Sequence, residues 1–321
     1  LRSKFEKAYH VRPDLGYLGK VIKEKGEKIG QVMHPILFTP IIMMRAERLS
    51  SGKEIIEKIG KCSVEPKYDG FRLQIHYSKS KKEVRLYSRN LEEVSFMYPD
   101  IVDGVKKEVK AKEIIFEGEA IGFEPNSQTF LPFQETVQRK RKHGIDEKAK
   151  EIPLKLFAFD ILYLDGRNLL DTPFSDRRRE LMKSIKTPAD TARDTILVAT
   201  DEIVSEEKKI ELLFDDAIAK GLEGIVAKRL DGTYKPGARN SNWIKFKRSY
   251  STKIEDTLDC LVMGYDFGKG KRTSFGIGAF LAGVYDSKKD AFVTVAKVGT
   301  GLTDEEWREL KKRAEKYKTF K

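Results

Sequence analysis

From Cys62 the chain alternates apolar and polar residues with period two. Phe71, Leu73, Ile75 and Tyr77 are separated by Arg72, Gln74 and His76, and "VRLYSRN" alternates again after the polar turn "SKSKKE". Because successive strand side chains point to opposite faces, this segment predicts a β-hairpin with one apolar and one polar face. Further strands are expected at 113–123 ("EIIFEGEAIGF"), at 154–166 ("LKLFAFDILYLDG", ending in an Asp-Gly turn), and over "EGIVAKRL" and "NWIKFKR". Residues 205–221 predict an amphipathic helix, since Ile210, Leu213, Phe214, Ala217 and Ile218 share a face and Gly221 stops it. "SDRRRELMKSI" (175–185) starts like a capped helix, and "SSGKEIIEKIG" has Ser50 or Ser51 as cap and Gly60 as stop. The basic run "QRKRKHGIDEKAKE" (138–151) reads as a solvated helix or loop.

With 321 residues, and about 100–200 residues per domain, the chain is expected to hold two domains and part of a third. Residues 1–30 read as helix, broken by Pro13 and Gly16, and as the tail of a domain. Residues 31–50 are apolar and proline-bearing, as suits a segment packed across a larger core. A polar stretch at 249–256 is a candidate linker. Three glycine-rich β segments follow, and then a closing helix in which Thr303 and Glu306 make a capping box and Leu302 staples onto Trp307. Three strands and a helix are too few for a closed barrel.

The net charge of +12 suits a polyanion such as nucleic acid, but 50 acidic residues also suit a Lys- and Glu-rich surface, so charge does not choose. Cys62 and Cys260 make no disulfide framework, and His10, His34, His76 and His143 show no metal-ligand spacing. No apolar run approaches the ~20 residues of a membrane span. Cytosol or nucleus is the expected compartment. The chain opens on Leu1, so either it is a piece of a longer protein or a leader is missing.

The segment "VEPKYDGFRLQIH" (64–76) sets Lys67 among Glu65, Asp69 and Arg72. A lysine is a poor nucleophile at its ordinary pKa of about 10.4, and neighbouring cations or desolvation free its lone pair. Arg72, Arg89, Lys228, Lys245 and Lys247 are cations on expected strands, and Asp69, Glu117, Glu119 and Glu223 are carboxylates suited to a cation. Phosphoryl-type transfer uses this combination of nucleophile, positive charge and carboxylate-held Mg²⁺. Taken alone, K-x-D-G reads as a surface lysine at a strand start.

The set of segments reads differently. "EPKYDGFR" resembles motif I of the covalent nucleotidyltransferases, the superfamily of ATP-dependent DNA ligases, RNA ligases and mRNA capping enzymes. "YSRN" (87–90), "FEGEAIGF" (116–123), "LFAFDILYLDG" (156–166), "EGIVAKR" (223–229) and "NWIKFKR" (242–248) resemble the later motifs, in family order. Their detail is similar to the archaeal and eukaryotic type of ATP-dependent DNA ligase, and "AYHVRPDLGYLGKVI" (8–22) is similar to the last helices of that family's DNA-binding domain.

The resemblance implies that Lys67 attacks the α-phosphate of ATP and becomes lysyl-AMP. It implies that Glu65 helps recognise adenine, that Arg72 and Arg89 contact the nucleotide and the DNA end, and that Phe159 stacks on the base. Glu119 would hold the ribose and, with Glu223, Mg²⁺. Lys228, Arg239, Lys245 and Lys247 would contact the nucleotide and its phosphates. Without the motifs, Phe159 reads equally as a core aromatic, Glu117 and Glu119 as residues of a strand exposed on one face, Arg239 as a loop charge and Lys228 as a solvated strand residue.

The expected fold is therefore α+β. A tail of a helical DNA-binding domain (1–30) precedes a nucleotidyltransferase domain of mostly antiparallel sheets (31–249), and a partial OB-fold (250–321) follows. The implied activity is sealing of nicks in duplex DNA by a monomer, with a sliding clamp engaged through a region N-terminal to this chain. No R-x-D-K-like motif VI follows Lys247, so the reading is of an internal piece of a longer ligase. RNA ligase, capping guanylyltransferase and a non-catalytic nucleic-acid-binding protein are the alternatives.

Overall fold

The computed structural model describes residues 2–29, 33–124, 129–186, 190, 193–247, 260–268, 270–286 and 289–319. The chain forms two compact units, Leu1–Thr252 and Lys253–Lys321. No helix among the described residues is long and apolar enough to cross a membrane.

The first unit contains two sheets. One has the order β1 (Arg45–Arg48), β12 (Arg239–Lys247), β11 (Gly224–Arg229), β2 (Cys62–Lys67), β10 (Glu202–Val204), with only β1 and β12 parallel. The other has the order β4 (Glu83–Ser88), β3 (Phe71–Ser78), β5 (Glu113–Glu124), β7 (Leu154–Leu164), β8 (Arg167–Asn168). The two-residue β6 (Thr129–Phe130) pairs with β5, and β9 (Ile196–Val198) lies parallel to β7. All of the second sheet thus lies in the chain between β2 and β10.

The N-terminal helices are α1 (Arg2–Val11) and α2 (Leu15–Lys25), packed around Ala8, Leu18, Val21, Ile29 and Met33. The break falls at 12–14, where Asp14 accepts from the Tyr17 amide at 2.9 Å, and Gly16 lies inside α2 rather than interrupting it. Helix α3 (Gly52–Ile59) is capped by Ser51 and ended by Gly60 at φ 63°. Helices α3 and α7 (Glu207–Ala219) cover the first sheet, burying Ile55, Ile210 and Phe214 against Val64, Ile225, Ile244 and Phe246. The rings of Phe214 and Phe246 stack at 4.0 Å.

On the second sheet the apolar face of the hairpin, Leu73, Ile75 and Leu86, is buried with Ile101 and Val105 of α4 (Pro99–Glu108) and Leu181 of α6 (Phe174–Ser184). Each such side chain is worth about 1.5–3 kcal/mol when removed from water. Helix α6 begins after Pro173 with no side-chain cap, so its expected cap is absent. The expectation of a solvated 138–151 also fails in part. Arg139 is buried, donating to both oxygens of Asp100 at 2.9 Å and to the Ile152 carbonyl at 2.6 Å, and Lys148 of α5 (Ile145–Glu151) is buried too.

The polar face of the hairpin meets protein, not solvent. Gln74 and His76 are fully buried under residues 36–44. The Ile41 amide donates to Gln74 Oε1 at 2.7 Å, and Gln74 Nε2 donates to the Ile41 carbonyl at 3.1 Å. The Phe38 amide donates to His76 Nδ1 at 3.0 Å, and Tyr87 Oη donates to the Phe38 carbonyl at 2.7 Å. With Nδ1 accepting, Nε2 carries the proton and faces Gln74 Oε1 at 3.0 Å. Burial pushes the imidazole down to about 3, so it stays neutral. An unpaired buried polar group is costly, so these bonds bind the 36–44 segment in one register.

The chain crosses between the sheets in three residues, from Lys67 at the end of β2 to Phe71 at the start of β3. A Cβ at Gly70 would lie 2.1 Å from the Ala120 carbonyl oxygen, so only glycine fits this crossing. Tyr68 turns inward and stacks on Phe157 at 4.0 Å, among Ile121, Leu197 and Ala199.

The second unit is a three-stranded antiparallel sheet, β13 (Leu261–Asp266), β14 (Ala279–Asp286), β15 (Ala291–Val298), with helix α8 (Asp304–Glu315). The Thr303–Glu306 capping box is formed, and Trp307 is buried edge-on to Phe280 at 6.1 Å. The expected linker at 249–256 lies outside the described residues.

Replacing Gln74 with Leu orphans both backbone groups of Ile41. It is expected to cost about 1–3 kcal/mol of stability. Urea unfolding checks this, with Lys79→Ala on the hairpin turn as a neutral control.

Candidate active site

Between the two sheets of the first unit lies a cavity of about 540 Å³, a volume suited to a nucleotide-sized ligand. Glu65 and Lys67 reach it from β2, Glu223 from just before β11, Lys228 from β11, and Arg239, Lys245 and Lys247 from β12. Arg72 enters from β3, Arg89 from the turn after β4, Glu119 from β5 and Phe159 from β7. Every residue to which the resemblance gives a role therefore lines one cavity.

Lys67 sits where β2 ends opposite Gly224, and the Glu223 amide donates to its carbonyl at 3.1 Å. Gly224 has φ 142°, and a Cβ there would lie 2.1 Å from the Phe246 carbonyl oxygen, so this tight pairing also depends on glycine. The Lys67 ammonium is ion-paired with Glu223 Oε2, and the Lys247 ammonium with Glu223 Oε1. Lys245 and Lys247 share a strand face, with Ile244 and Phe246 buried on the other. Desolvation, then Arg48, Lys67, Arg239 and Arg89, lowers the pKa of Lys245. Desolvation, then Lys67, lowers that of Lys247. These depressions record a crowd of cations held close at one end of the cleft.

Carboxylates face the same space. Glu119 is partly exposed to the cleft, yet desolvation pushes its carboxyl up to about 7. Lys67, Arg72 and the Gly70 amide pull the other way. Among the described residues no three His, Cys, Asp or Glu cluster as a ready-made metal cage. Glu119 on β5 and Glu223 just before β11 nevertheless match Mg²⁺, which binds through one or two carboxylates and keeps water and phosphate oxygens for its other positions.

At the back wall, buried Lys228 donates to Glu65 Oε2 at 2.7 Å and to the Phe159 carbonyl at 2.7 Å. Its ammonium lies 4.9 Å from the Phe159 ring centre and 5.0 Å from that of Trp243. Lys228 is thus no solvated strand residue, and its charge is engaged with Glu65. Burial raises the pKa of Glu65 and lowers that of Lys228, and their attraction opposes both. Glu65 Oε1 is buried with no hydrogen-bond partner among the described residues.

Arg72 is fixed from several sides. It donates to Glu117 Oε2 at 2.6 Å and to the Met44 carbonyl at 2.7 Å, and it lies 5.3 Å over Phe159 and 5.1 Å over Trp243. Glu117, which the alternation also allowed on an exposed face, is fully buried and accepts from Tyr234 Oη at 2.9 Å as well. Tyr234 escaped the sequence reading because it stands in an irregular loop with no periodicity. Arg48 escaped it because its place comes from pairing with Lys245 in the parallel β1–β12 ladder.

Two packed sheets around a lysine-floored cleft, with a small β unit following in the chain, define a nucleotidyltransferase domain joined to an OB-type domain. The family model for the ATP dependent DNA ligase domain matches residues 43–247, and that for the ATP dependent DNA ligase C terminal region matches residues 273–321. The chain belongs to the ATP-dependent DNA ligase family. A probable DNA ligase of Dictyoglomus thermophilum is 48% identical over 307 residues, 96% of this chain and 52% of that protein. A DNA ligase of Caldivirga maquilingensis is 42% identical over 320 residues, 99% of this chain and 52% of that protein. The chain spans about half the length of these curated relatives. The solved structure of Pmar-Lig PreS3 superposes with a TM-score of 0.62 at 20% identity, covering 94% of this chain and 64% of that one. A Lig E DNA ligase structure superposes at 0.55 and 20% identity, covering 83% and 87%. At such identities the likeness is one of fold.

The raised Glu119 carboxyl has a consequence for stability. The folded protein keeps a proton that the unfolded chain gives up near its ordinary value of 4.5. The contribution of Glu119 to stability is therefore fully present below about pH 4.5 and is lost as pH rises through about 7, by up to about 3 kcal/mol. Glu119→Gln should flatten that slope in unfolding measured across pH.

Proposed function

We propose that this chain carries the nucleotide-transfer chemistry of an ATP-dependent DNA ligase, with nicked duplex DNA as substrate. The convergence of Lys67, the cation crowd and the unpaired Glu65 acceptor in one cleft carries the reading. Adenine enters beside Phe159, and its amino group donates to Glu65 Oε1. Arg239, Lys245 and Lys247 meet the phosphates. Glu119 and Glu223 would hold Mg²⁺, which would supply positive charge to the phosphate oxygens.

Attack requires the lone pair of the Lys67 amine, and Glu223, in contact with Nζ, is placed to accept its proton. The Nζ–P bond forms as the bond to the bridging oxygen breaks, and pyrophosphate leaves. A 5′-phosphate oxygen at the nick then takes AMP from Lys67. The 3′-hydroxyl next attacks that 5′-phosphate, closing the phosphodiester and releasing AMP. Arg72, fixed by Glu117, and Arg89, at the cleft edge, are assigned to the nucleotide and the DNA end.

Incubation with ATP and Mg²⁺ should add the mass of AMP to the intact protein, and Lys67→Ala should abolish it. An adduct surviving that change sinks the assignment, and no adduct on the unaltered chain leaves a binding protein. Replacing ATP by GTP, and nicked DNA by RNA, separates the reading from capping and RNA-joining chemistry. Lys245→Ala and Lys247→Ala should each slow adduct formation by about 10–1,000-fold, as loss of a charge-stabilising group does, in single-turnover assays.

A further inference from the structure

Behind Glu65 lies a file of buried charges that the nucleotide-binding residues leave unused. Arg178, on α6, is 8% exposed and does not line the cleft. Its Nη2 donates to the Ala199 carbonyl and, at 2.8 Å, to Asp201 Oδ1. Asp201 Oδ2 in turn accepts from Ser63 Oγ at 2.7 Å. Ser63 shares a face of β2 with Glu65, two residues on. Arg178 Nε and Nη1 are buried without a hydrogen-bond partner among the described residues. From β11, Lys228 holds Glu65 Oε2 at 2.7 Å. Lys228, in contact with Glu65, and Arg178, reached through Asp201 and Ser63, are thus the cations whose charge acts on it, and Asp201 and Tyr68 are the further ionisable neighbours.

Burial favours a protonated Glu65, and Lys228 and Arg178 oppose it. The difference matters for reading a base. An ionised carboxylate only accepts hydrogen bonds, whereas a protonated one also donates. The first distinguishes an amino edge from a carbonyl edge, and the second satisfies both. Sites built around one polar pairing reject the mismatched partner strongly, because a buried group is then left unpaired.

We propose that Arg178, held by Asp201, is a specificity-determining positioning residue: it keeps the free oxygen of Glu65 an acceptor only, so that the cleft takes a 6-amino purine and rejects a 6-oxo purine. This rests on the nucleotide reading of the cleft given above. Arg178 acts through Glu65 and touches no reacting atom.

The test compares ATP with inosine triphosphate, which carries a carbonyl where ATP carries the amino group. Dissociation constants for each nucleotide, and adduct mass at Lys67, are measured across pH on the unaltered chain, Arg178→Met and Arg178→Lys. The unaltered chain should prefer ATP. Arg178→Met should lose up to about tenfold of that ratio as pH falls, the effect of one pKa unit at Glu65, and its preference should begin to fade, on lowering pH, at a higher pH than the parent's. Arg178→Lys should keep most of the ratio. A folded Arg178→Met with the parent's ratio and pH profile overturns the proposal, even if ATP still labels Lys67. Should Arg178→Met fail to fold, Arg178→Gln removes the same charge while keeping a donor for Asp201 and the Ala199 carbonyl, and an unchanged ratio and pH profile there is equally fatal. If the unaltered chain neither prefers ATP nor forms an adduct, the nucleotide reading itself falls, and this proposal with it.

Discussion

The backbone of Gly70 presses against the carbonyl of Ala120, and this contact lets the chain pass from one sheet to the other in three residues. Lys67 is left at the end of a strand whose last residue faces the junction and not a sheet surface. Tyr68 turns into the seam between the sheets, and the Gly70 amide reaches Glu119 on the far wall. A side chain at position 70 would push β3 off β5 at the point where Arg72 and Glu119 face each other in register. The placement of nucleophile, cation and carboxylate follows from one missing methyl group.

Charge is ordered around that crossing at two depths. Near the mouth, Glu223 lies between Lys67 and Lys247, so two like charges that repel each other share one carboxylate. Deeper in, Arg178 is paired with Asp201, Lys228 with Glu65 and Arg72 with Glu117. Burying an unpaired charge is costly, and breaking one partner of such a pair strands the other. The cleft therefore keeps ionised groups out of bulk water, where their fields act over a few ångströms with little screening.

Much of this was legible in the sequence, for a physical reason. Strand periodicity belongs to the chain itself, so β3, β4, β5, β7, β11 and β12 could be read locally, as could the caps at Ser51 and Thr303. What covers a face is not local. The same alternation that set Gln74 and His76 opposite Leu73 and Ile75 could not say that residues 36–44 would bury them. Glu117 and Glu119 share a strand face and differ only in neighbours: one meets Arg72 and Tyr234, the other the cleft. Lys228 likewise looked like any strand lysine until Glu65 was placed beside it. Arg48 and Tyr234 take their positions from partners about 190 residues away, and such pairings leave no trace in a short window.

The insertion of the whole second sheet between β2 and β10 orders events in time. Strands β3 to β9 run without interruption from residue 71 to 198, so that layer can collapse on mostly nearby partners. The first sheet cannot, because β2 waits for β11 and β1 waits for β12, and chain entropy resists both closures until late. During synthesis, β12 is the last of these strands to emerge. A chain growing on the ribosome thus carries its lysine for some 180 residues before the wall that would let it hold a nucleotide exists.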